Sequence, residues 1–350
     1  MLETIILEKF NVADLADSFF ESLIADYQGF EDWYARKAKA GETAYVQRDD
    51  QNHIQAFLYL KVENEAIADV NPILPTKQRV KIGTFKVNGH NTRIGERFLK
   101  KAFDYAHAVG AEEIYVTIFN REKQRPLISK LQSFGFTQWG TKGEELVFVK
   151  DLRTFIGDPE KDYPLVKLTD RKKYLLGIKP MYHSVLFPDS ALFGERYNTQ
   201  ADVSCSNSIH KVYICFMPRT KELMKGDLLV IYRTTDIPDM AWYRGVATSI
   251  CVVEDVKKRS DFASENDLLN YVKDYSVFTE DELRRWYKSP NMIVLKMTYN
   301  IALAKRLNRK SLVEEAGVPN GIYWGFDSLT DYQFDNILKK GEADESFIIH

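Results

Sequence analysis

Between Val12 and Ala40 the chain reads VADLADSFFESLIADYQGFEDWYARKAKA. Leu15, Phe19, Leu23 and Ile24, then Phe30, Trp33 and Tyr34, recur there at helical spacing. Gly29 divides the stretch into two helices and Gly41 stops the second. Strand-like runs follow in TAYVQRD and IQAFLYLKVE, and the polar DQN between them predicts a hairpin. RVKIGTFKV is a third strand. RIGERFLKKAFDYAHAVG then sets Ile94, Phe98, Ala102, Phe103 and Ala106 on one helical face, with Gly110 as its stop. EEIYVTIF is a β-branched strand, RPLISKLQSFG a short helix with proline near its start, and LVFVKDL a closing strand. The fold class expected is α/β (α+β), with a mixed sheet flanked by helices in the N-terminal part.

The stretch DLRTFIGDPEKDYPLVKL, with Gly157, Pro159 and Pro164, reads as a linker. Residues 1–152 and 169–350 are therefore expected as two domains joined by 153–168. Beyond the linker the texture changes. KVYICFM, GDLLVIYRT and WYRGVATSICVVEDV are strands separated by turns, and helices are expected around Asp267–Val272, Glu280–Lys288 and Leu303–Gly317. No internal repeat or low-complexity tract interrupts the chain.

Composition narrows the choices. The hydrophobic share of 45% and the aromatic share of 13% supply well-packed cores in a chain of 350 residues. The formal charge is −2, and neither half is lopsided: residues 1–150 hold 20 Lys and Arg against 21 Asp and Glu. Nucleic-acid contact must then come from a local patch and not from bulk charge. Cys205, Cys215 and Cys251 form no CxxC, and the histidines show no HxxxH or HxH spacing, which argues against a metal site or a disulfide framework. The N-terminus meets acidic residues after few apolar ones, and no apolar run approaches a membrane span. A cytoplasmic location is expected, with no membrane partner.

Chemistry concentrates in KIGTFKVNGHNTRIGERFLKKAFDYA, Lys81 to Ala106. A helix N-terminus carries unpaired N–H groups and partial positive charge, so the turn that opens into this helix can accept an anion. Gly95 leaves room at the first turn, Arg93 and Arg97 bracket it, and Lys86 lies on the preceding strand. Taken alone, this is also what a tight β-to-α turn with surface charges looks like.

The surroundings add to it. Strand, turn and amphipathic helix, then EEIYVTIFN and a helix ending in FGF (Phe134–Phe136), resemble the acetyl-CoA-dependent N-acetyltransferase (GNAT) family over about Leu2 to Leu152. That family's pyrophosphate loop has the form [Q/R]xxGxG/A. HNTRIG aligns with it, His90 at the Q/R position, Arg93 at the first glycine and Gly95 at the second. The resemblance implies acetyl-CoA as cofactor. The backbone of Phe85, Lys86 and Val87 would pair with its pantetheine arm, and the amides of Arg93, Ile94, Gly95, Glu96 and Arg97 would hold its pyrophosphate. Asn120 and Arg125 would meet other parts of the cofactor. Departures are plain: Arg93 replaces a glycine, His90 replaces a permanent cation, and Leu131 stands where the family often keeps a tyrosine. Ser129 and Ser133 are the nearby hydroxyls, Ser129 being the candidate acid. Glu63 and Glu65, at and just past a strand end, are candidates for a base acting through water, or simply solvated glutamates.

The second half resembles the PUA-like superfamily, including ASCH and EVE domains, which implies a small β-barrel that binds RNA or modified bases. LLGIKPMYHSVL would be its entry strand and helix, and FGERYN is the nearest stretch to the ASCH signature GxKxxExR. Lys179, Tyr182, Arg219, Lys221, Arg233, Tyr243 and Arg244 interleave cations with aromatics, a combination that holds phosphate while stacking a base; the plainer reading of each is a surface cation or a core tyrosine. Together the two resemblances imply an N-acetyltransferase acting on a primary amine, with a charged tRNA or modified base presented by the second domain. The alternatives are an acetyltransferase for a protein or small-molecule amine with a regulatory or dimerising second domain, and a non-catalytic acetyl-CoA- or nucleic-acid-binding regulator.

Overall fold

The structure, a computed structural model, describes residues 5–88, 94–187, 208–273 and 275–350. The chain divides into two compact units, Met1–Arg153 and Thr154–His350.

The first unit runs β1 (Ile6–Lys9), α1 (Glu21–Asp26), α2 (Phe30–Lys39), β2 (Thr43–Arg48), β3 (Ile54–Glu63), β4 (Arg79–Val87), α3 (Ile94–Ala108), β5 (Glu113–Phe119), α4 (Arg125–Ser133), β6 (Thr137–Lys142) and β7 (Glu145–Asp151). Its seven strands lie in the order β1-β2-β3-β4-β5-β7-β6. Only β4 and β5 run parallel, as the intervening α3 crossover requires. Gly29 adopts φ 78° before α2 and Gly41 φ 70° after it, conformations that open to glycine for want of a Cβ. Phe10, Phe19, Phe20, Phe30, Tyr34 and Phe57 close one core, and the Tyr34 hydroxyl donates to the Ala13 carbonyl at 2.6 Å. The β2–β3 turn is tied by the Asp49 carboxylate, which accepts the N–H groups of Gln51 and His53 at 2.9 Å each.

The second unit runs α5 (Pro159–Asp162), β8 (Val166–Lys167), β9 (Lys173–Ile178), α6 (Pro180–Leu186), β10 (His210–Cys215), β11 (Leu228–Arg233), α7 (Ala241–Arg244), β12 (Val246–Lys258), α8 (Glu265–Val272), α9 (Glu280–Tyr287), β13 (Ile293–Asn308), α10 (Arg309–Glu314), β14 (Phe326–Leu329), α11 (Asp331–Lys340) and β15 (Ile348–Ile349). Six strands pair in the order β10-β13-β12-β11-β9-β14, with β9 and β11 parallel, and β8 pairs β15 separately.

Apolar residues cover both faces of the six-stranded sheet, so β9, β10 and β11 are buried along nearly their whole length, although β10 lies at an end. Leu268, Val272, Leu283 and Tyr287, from α8 and α9, belong to one core. Leu312, Phe334, Ile337 and Leu338, from α10 and α11, belong to the other. This explains the continuous apolar texture of KVYICFM and GDLLVIYRT. The expected barrel is thus described as a mixed sheet with β10 and β14 at its ends, and among the described residues no pairing joins those ends.

Two further expectations change. Residues 154–168 do not hang free as a linker but pack within the second unit, with Pro159, Asp162, Tyr163, Leu165 and Val166 buried. Asp162 fixes the turn by accepting the Ile156 and Gly157 N–H groups at 2.7 and 2.8 Å. The helix expected over Leu303–Gly317 is strand as far as Asn308, where Ala247 pairs with Leu307, and helix only over Arg309–Glu314. The four-residue step from Leu303 to Leu307 mimics a helical turn, but long-range pairing sets the backbone.

Candidate functional site

The parallel ladder of β4 and β5 has four pairs: Arg79–Glu113, Val80–Ile114, Lys81–Tyr115 and Ile82–Val116. Beyond Ile82 and Val116 the strands continue, unpaired with each other, to Val87 and Phe119. On their outer sides Thr84–Val87 still pair with β3 and Thr117–Phe119 with β7. The sheet therefore parts into a wedge whose two inner edges carry main-chain donors and acceptors that no strand pairs among the described residues.

The parting begins where the sequence places a glycine. Tyr59 faces Thr84 and Leu60 faces Ile82, so Gly83 is the extra residue of a β-bulge. The Tyr59 ring packs on it: a Cβ at Gly83 would lie 2.7 Å from the Tyr59 Cδ1. The shut end is held by charge. Arg79, fully buried, donates from Nε to Glu113 Oε1 at 2.7 Å and from Nη1 to the Glu65 carbonyl at 2.9 Å, while its Nη2 donates to the Pro75 carbonyl.

The expected cofactor residues distribute around the wedge. Phe85, Lys86 and Val87 form its β4 edge, and the Lys86 ammonium donates to the Phe19 carbonyl and lies over the Phe19 ring. Burial holds that ammonium below its ordinary value. His90 and Arg93 lie outside the described residues. Ile94, Gly95, Glu96 and Arg97 form the first turn of α3, next after β4 in the chain. A Cβ at Gly95 would meet nothing within 4 Å, so packing among the described residues does not demand glycine there. The Glu96 and Arg97 side chains turn inward and are buried, Glu96 pairing with Lys130 at 3.1 Å, so what they offer a ligand is their backbone. Asn120, at the end of β5, and Arg125, at the start of α4, are exposed.

The catalytic candidates fare unevenly. Ser129 is exposed on α4, whereas Leu131 is fully buried in the core. Glu63 lies at the shut end of the wedge, opposite Arg79. It accepts from Lys61 at 2.8 Å and from the Tyr115 hydroxyl at 2.5 Å. Burial pushes its carboxyl up, but those bonds and the charges of Lys81 and Lys61 outweigh it and hold it below the ordinary carboxylate range. Such a group is a weak base.

Other residues at the wedge went unread in sequence. Tyr27, ending α1, packs its ring 5.0 Å from that of Phe119 at the open end of β5. Burial first, then the Glu145 carboxylate, pushes its phenol up to about 12, so it keeps its proton at neutral pH. Arg121 lies over the other contact of this corner, 4.1 Å from the Phe119 ring centroid, and pairs with Asp26 at 2.8 Å. A glycine inside an otherwise apolar strand, KIGTF, was the available signal for the bulge.

In the second unit, parallel β9 and β11 end together at Ile178 and Arg233. Lys179 and Tyr182 follow the first strand, and Tyr243 and Arg244 follow the second across a turn that returns Thr234 N–H to the Ile178 carbonyl at 2.9 Å. Lys179, Tyr243 and Arg244 are exposed at this end. Tyr182 instead packs against Phe278 and Trp286 at 5.1 and 6.3 Å, as core wall. Arg219 and Lys221 sit in the turn before β11, at the opposite end of that strand, and Arg219 is paired with Asp327 at 2.9 Å. The candidates thus fall into two groups. Phe193–Asn198 lies outside the described residues. Cys215 and Cys251 are buried free thiols, and Cys205 lies outside the described residues. Among the described residues no helix is long and apolar enough to cross a membrane.

No family model matches the chain, and no curated protein matches it in sequence. Solved structures similar to it include an ASCH protein from Zymomonas mobilis, 11% identical over 49% of this chain and 97% of that one, at TM-score 0.32. A GNAT-family acetyltransferase from Listeria monocytogenes is 9% identical over 42% of this chain and 95% of its own, at TM-score 0.32. The NatC complex bound to Gag peptide and CoA is 17% identical over 43% and 96%, at TM-score 0.29. Superpositions this loose bear on neither activity nor site.

Proposed function

We propose that the first unit is an acyl-CoA-dependent N-acyltransferase, with acetyl-CoA as donor and a primary amine as acceptor. The parting of β4 from β5 beyond Ile82 and Val116 carries this reading. An extended arm bearing amides can add to the free edge of Thr84–Val87 as a strand would. The residues present suit such a group: a main-chain edge for the arm, the first turn of α3, where a Cβ at Gly95 would meet nothing within 4 Å among the described residues, for phosphates, and exposed Arg125 at the start of α4. When bound, acyl-CoA supplies an activated thioester. The chain supplies main-chain donors at the bulge to face developing negative charge, and a protonated hydroxyl at Tyr27. Glu63 is already engaged by Lys61 and the Tyr115 hydroxyl and is held below the ordinary carboxylate range, so it is poorly placed to take the proton of the incoming amine.

The gathering of Lys179, Tyr243 and Arg244 at the end of β9 and β11 supports a recognition role for the second unit, a PUA-like domain presenting a nucleic-acid-linked amine. A protein or small-molecule acceptor, or a regulator without catalysis, are the competing readings. Calorimetry of the full chain with acetyl-CoA decides the first question: no heat of binding at high micromolar ligand removes every acyltransferase reading. Given binding, labelled acetyl transfer to charged tRNA, peptides and small amines separates the acceptors.

A further inference from the structure

Lys81 lies one residue before the last β4–β5 pair, directly opposite Tyr115. Its Nζ sits 5.6 Å from the centroid of the Tyr115 ring, and the side chain is half-buried. The charged groups around it are spoken for. Lys61 pairs with Glu63 at 2.8 Å, Lys142 pairs with Asp69 at 2.6 Å, and the second Glu63 oxygen takes the Tyr115 hydroxyl. Among the described residues no carboxylate comes within ion-pair distance of Lys81. An amine placed beside the apex of an acyl-donor wedge, with no ion-pair partner of its own among the described residues, is a nucleophile in waiting.

We propose that Lys81 is itself an acyl acceptor, a site of self-modification by the acyl-CoA that the wedge binds. The neutral Nζ attacks the thioester carbonyl carbon. The C–N bond forms, the C–S bond breaks, and the departing sulfur takes up the proton the amine releases, leaving an amide on Lys81 and free CoA thiol. Burial, followed by the Lys142 charge, holds the Lys81 ammonium below its ordinary value against the pull of Glu63 and Asp69, which raises the neutral fraction near pH 7. Acylation removes a cation that burial and the Lys142 charge disfavour. An acylated Lys81 then occupies the apex and blocks turnover with other amines. The step rests on the acyl-CoA reading of the wedge.

The experiment incubates the full chain with acetyl-CoA at several pH values and follows acetyl incorporation per lysine by peptide mass mapping, with exposed Lys39 and Lys123 as internal references. CoA binding is measured calorimetrically on the same protein. Lys81 is expected to gain acetyl at least about tenfold faster than either reference near pH 7, the advantage shrinking as pH rises and all three amines become neutral. Lys81→Arg is expected to retain CoA binding and lose the fast phase. CoA binding with Lys81 no faster than the references overturns self-acylation and leaves the wedge reading intact. Absence of CoA binding overturns both.

Discussion

Arg79 and Glu113 face each other across the first pair of the parallel ladder, guanidinium to carboxylate at 2.7 Å, with Arg79 wholly out of solvent. Lys77 adds a second cation to the same carboxylate at 3.0 Å. Removing one partner strands the other. Glu113→Ala is expected to cost about 3–5 kcal/mol of unfolding free energy, while the paired replacement Arg79→Met with Glu113→Leu costs far less. Denaturant unfolding of the three proteins checks this, and equal losses in single and double variants would contradict it.

Gly83 governs the opposite end of that ladder. Gly83→Val forces a side chain into the Tyr59 ring and is expected to cost about 1–3 kcal/mol. The larger effect falls on the wedge, with CoA affinity reduced about tenfold or more as the bulge relaxes. Calorimetry beside thermal unfolding separates the two effects. Unchanged affinity in a folded variant would show that the bulge does not shape the site.

Tyr27 holds its proton beside Phe119. Tyr27→Phe is expected to leave CoA binding within a factor of about two and to lower acetyl transfer by about 10²-fold, the usual scale for a lost proton donor. Steady-state kinetics with a competent amine measures it, and an unchanged kcat would release Tyr27 from the mechanism.

His183 is fully buried in the second unit, its Nε2 2.9 Å from Thr248 Oγ1. Burial first, then the charges of Arg233 and Arg306, lowers its imidazolium pKa to about 3. The folded value lies below the unfolded one of about 6.5, so the unfolded chain binds the extra proton. The contribution to stability is whole above about pH 6.5 and is lost as pH falls toward about 3, at up to about 1.4 kcal/mol per pH unit. His183→Asn is expected to flatten that slope in unfolding measured by hydrogen exchange of β11 and β12, and an unaltered slope would assign it elsewhere.

How far these sites were legible depended on the range of the interactions that make them. The helices about Gly29, the β2–β3 hairpin and the α3 stripe are local, and periodicity shows them. Gly83 could be seen as a glycine in a strand, but its bulge is defined only by Tyr59 across the ladder. Glu63 looked like a free strand-end base because nothing in sequence brings Tyr115 to it. Leu303–Gly317 misled for the same reason in reverse: a local spacing suited a helix, while pairing with β12 made it strand to Asn308. Arg219 and Arg233 likewise read as one basic set, and the strand between them carries them to opposite ends of the sheet.

The four-pair junction between β4 and β5 also has a mechanical meaning. It is the strand-to-strand ladder between a four-stranded and a three-stranded part of the sheet, β1–β4 and β5–β7–β6. The β1–β2 ladder is as short but lies at the sheet's edge, whereas a ligand strand laid along the open edge of β4 would lengthen this central one. Pulling experiments on the loaded and empty protein would then differ in rupture force at this one place, giving the wedge a signature that needs no chemistry to be read.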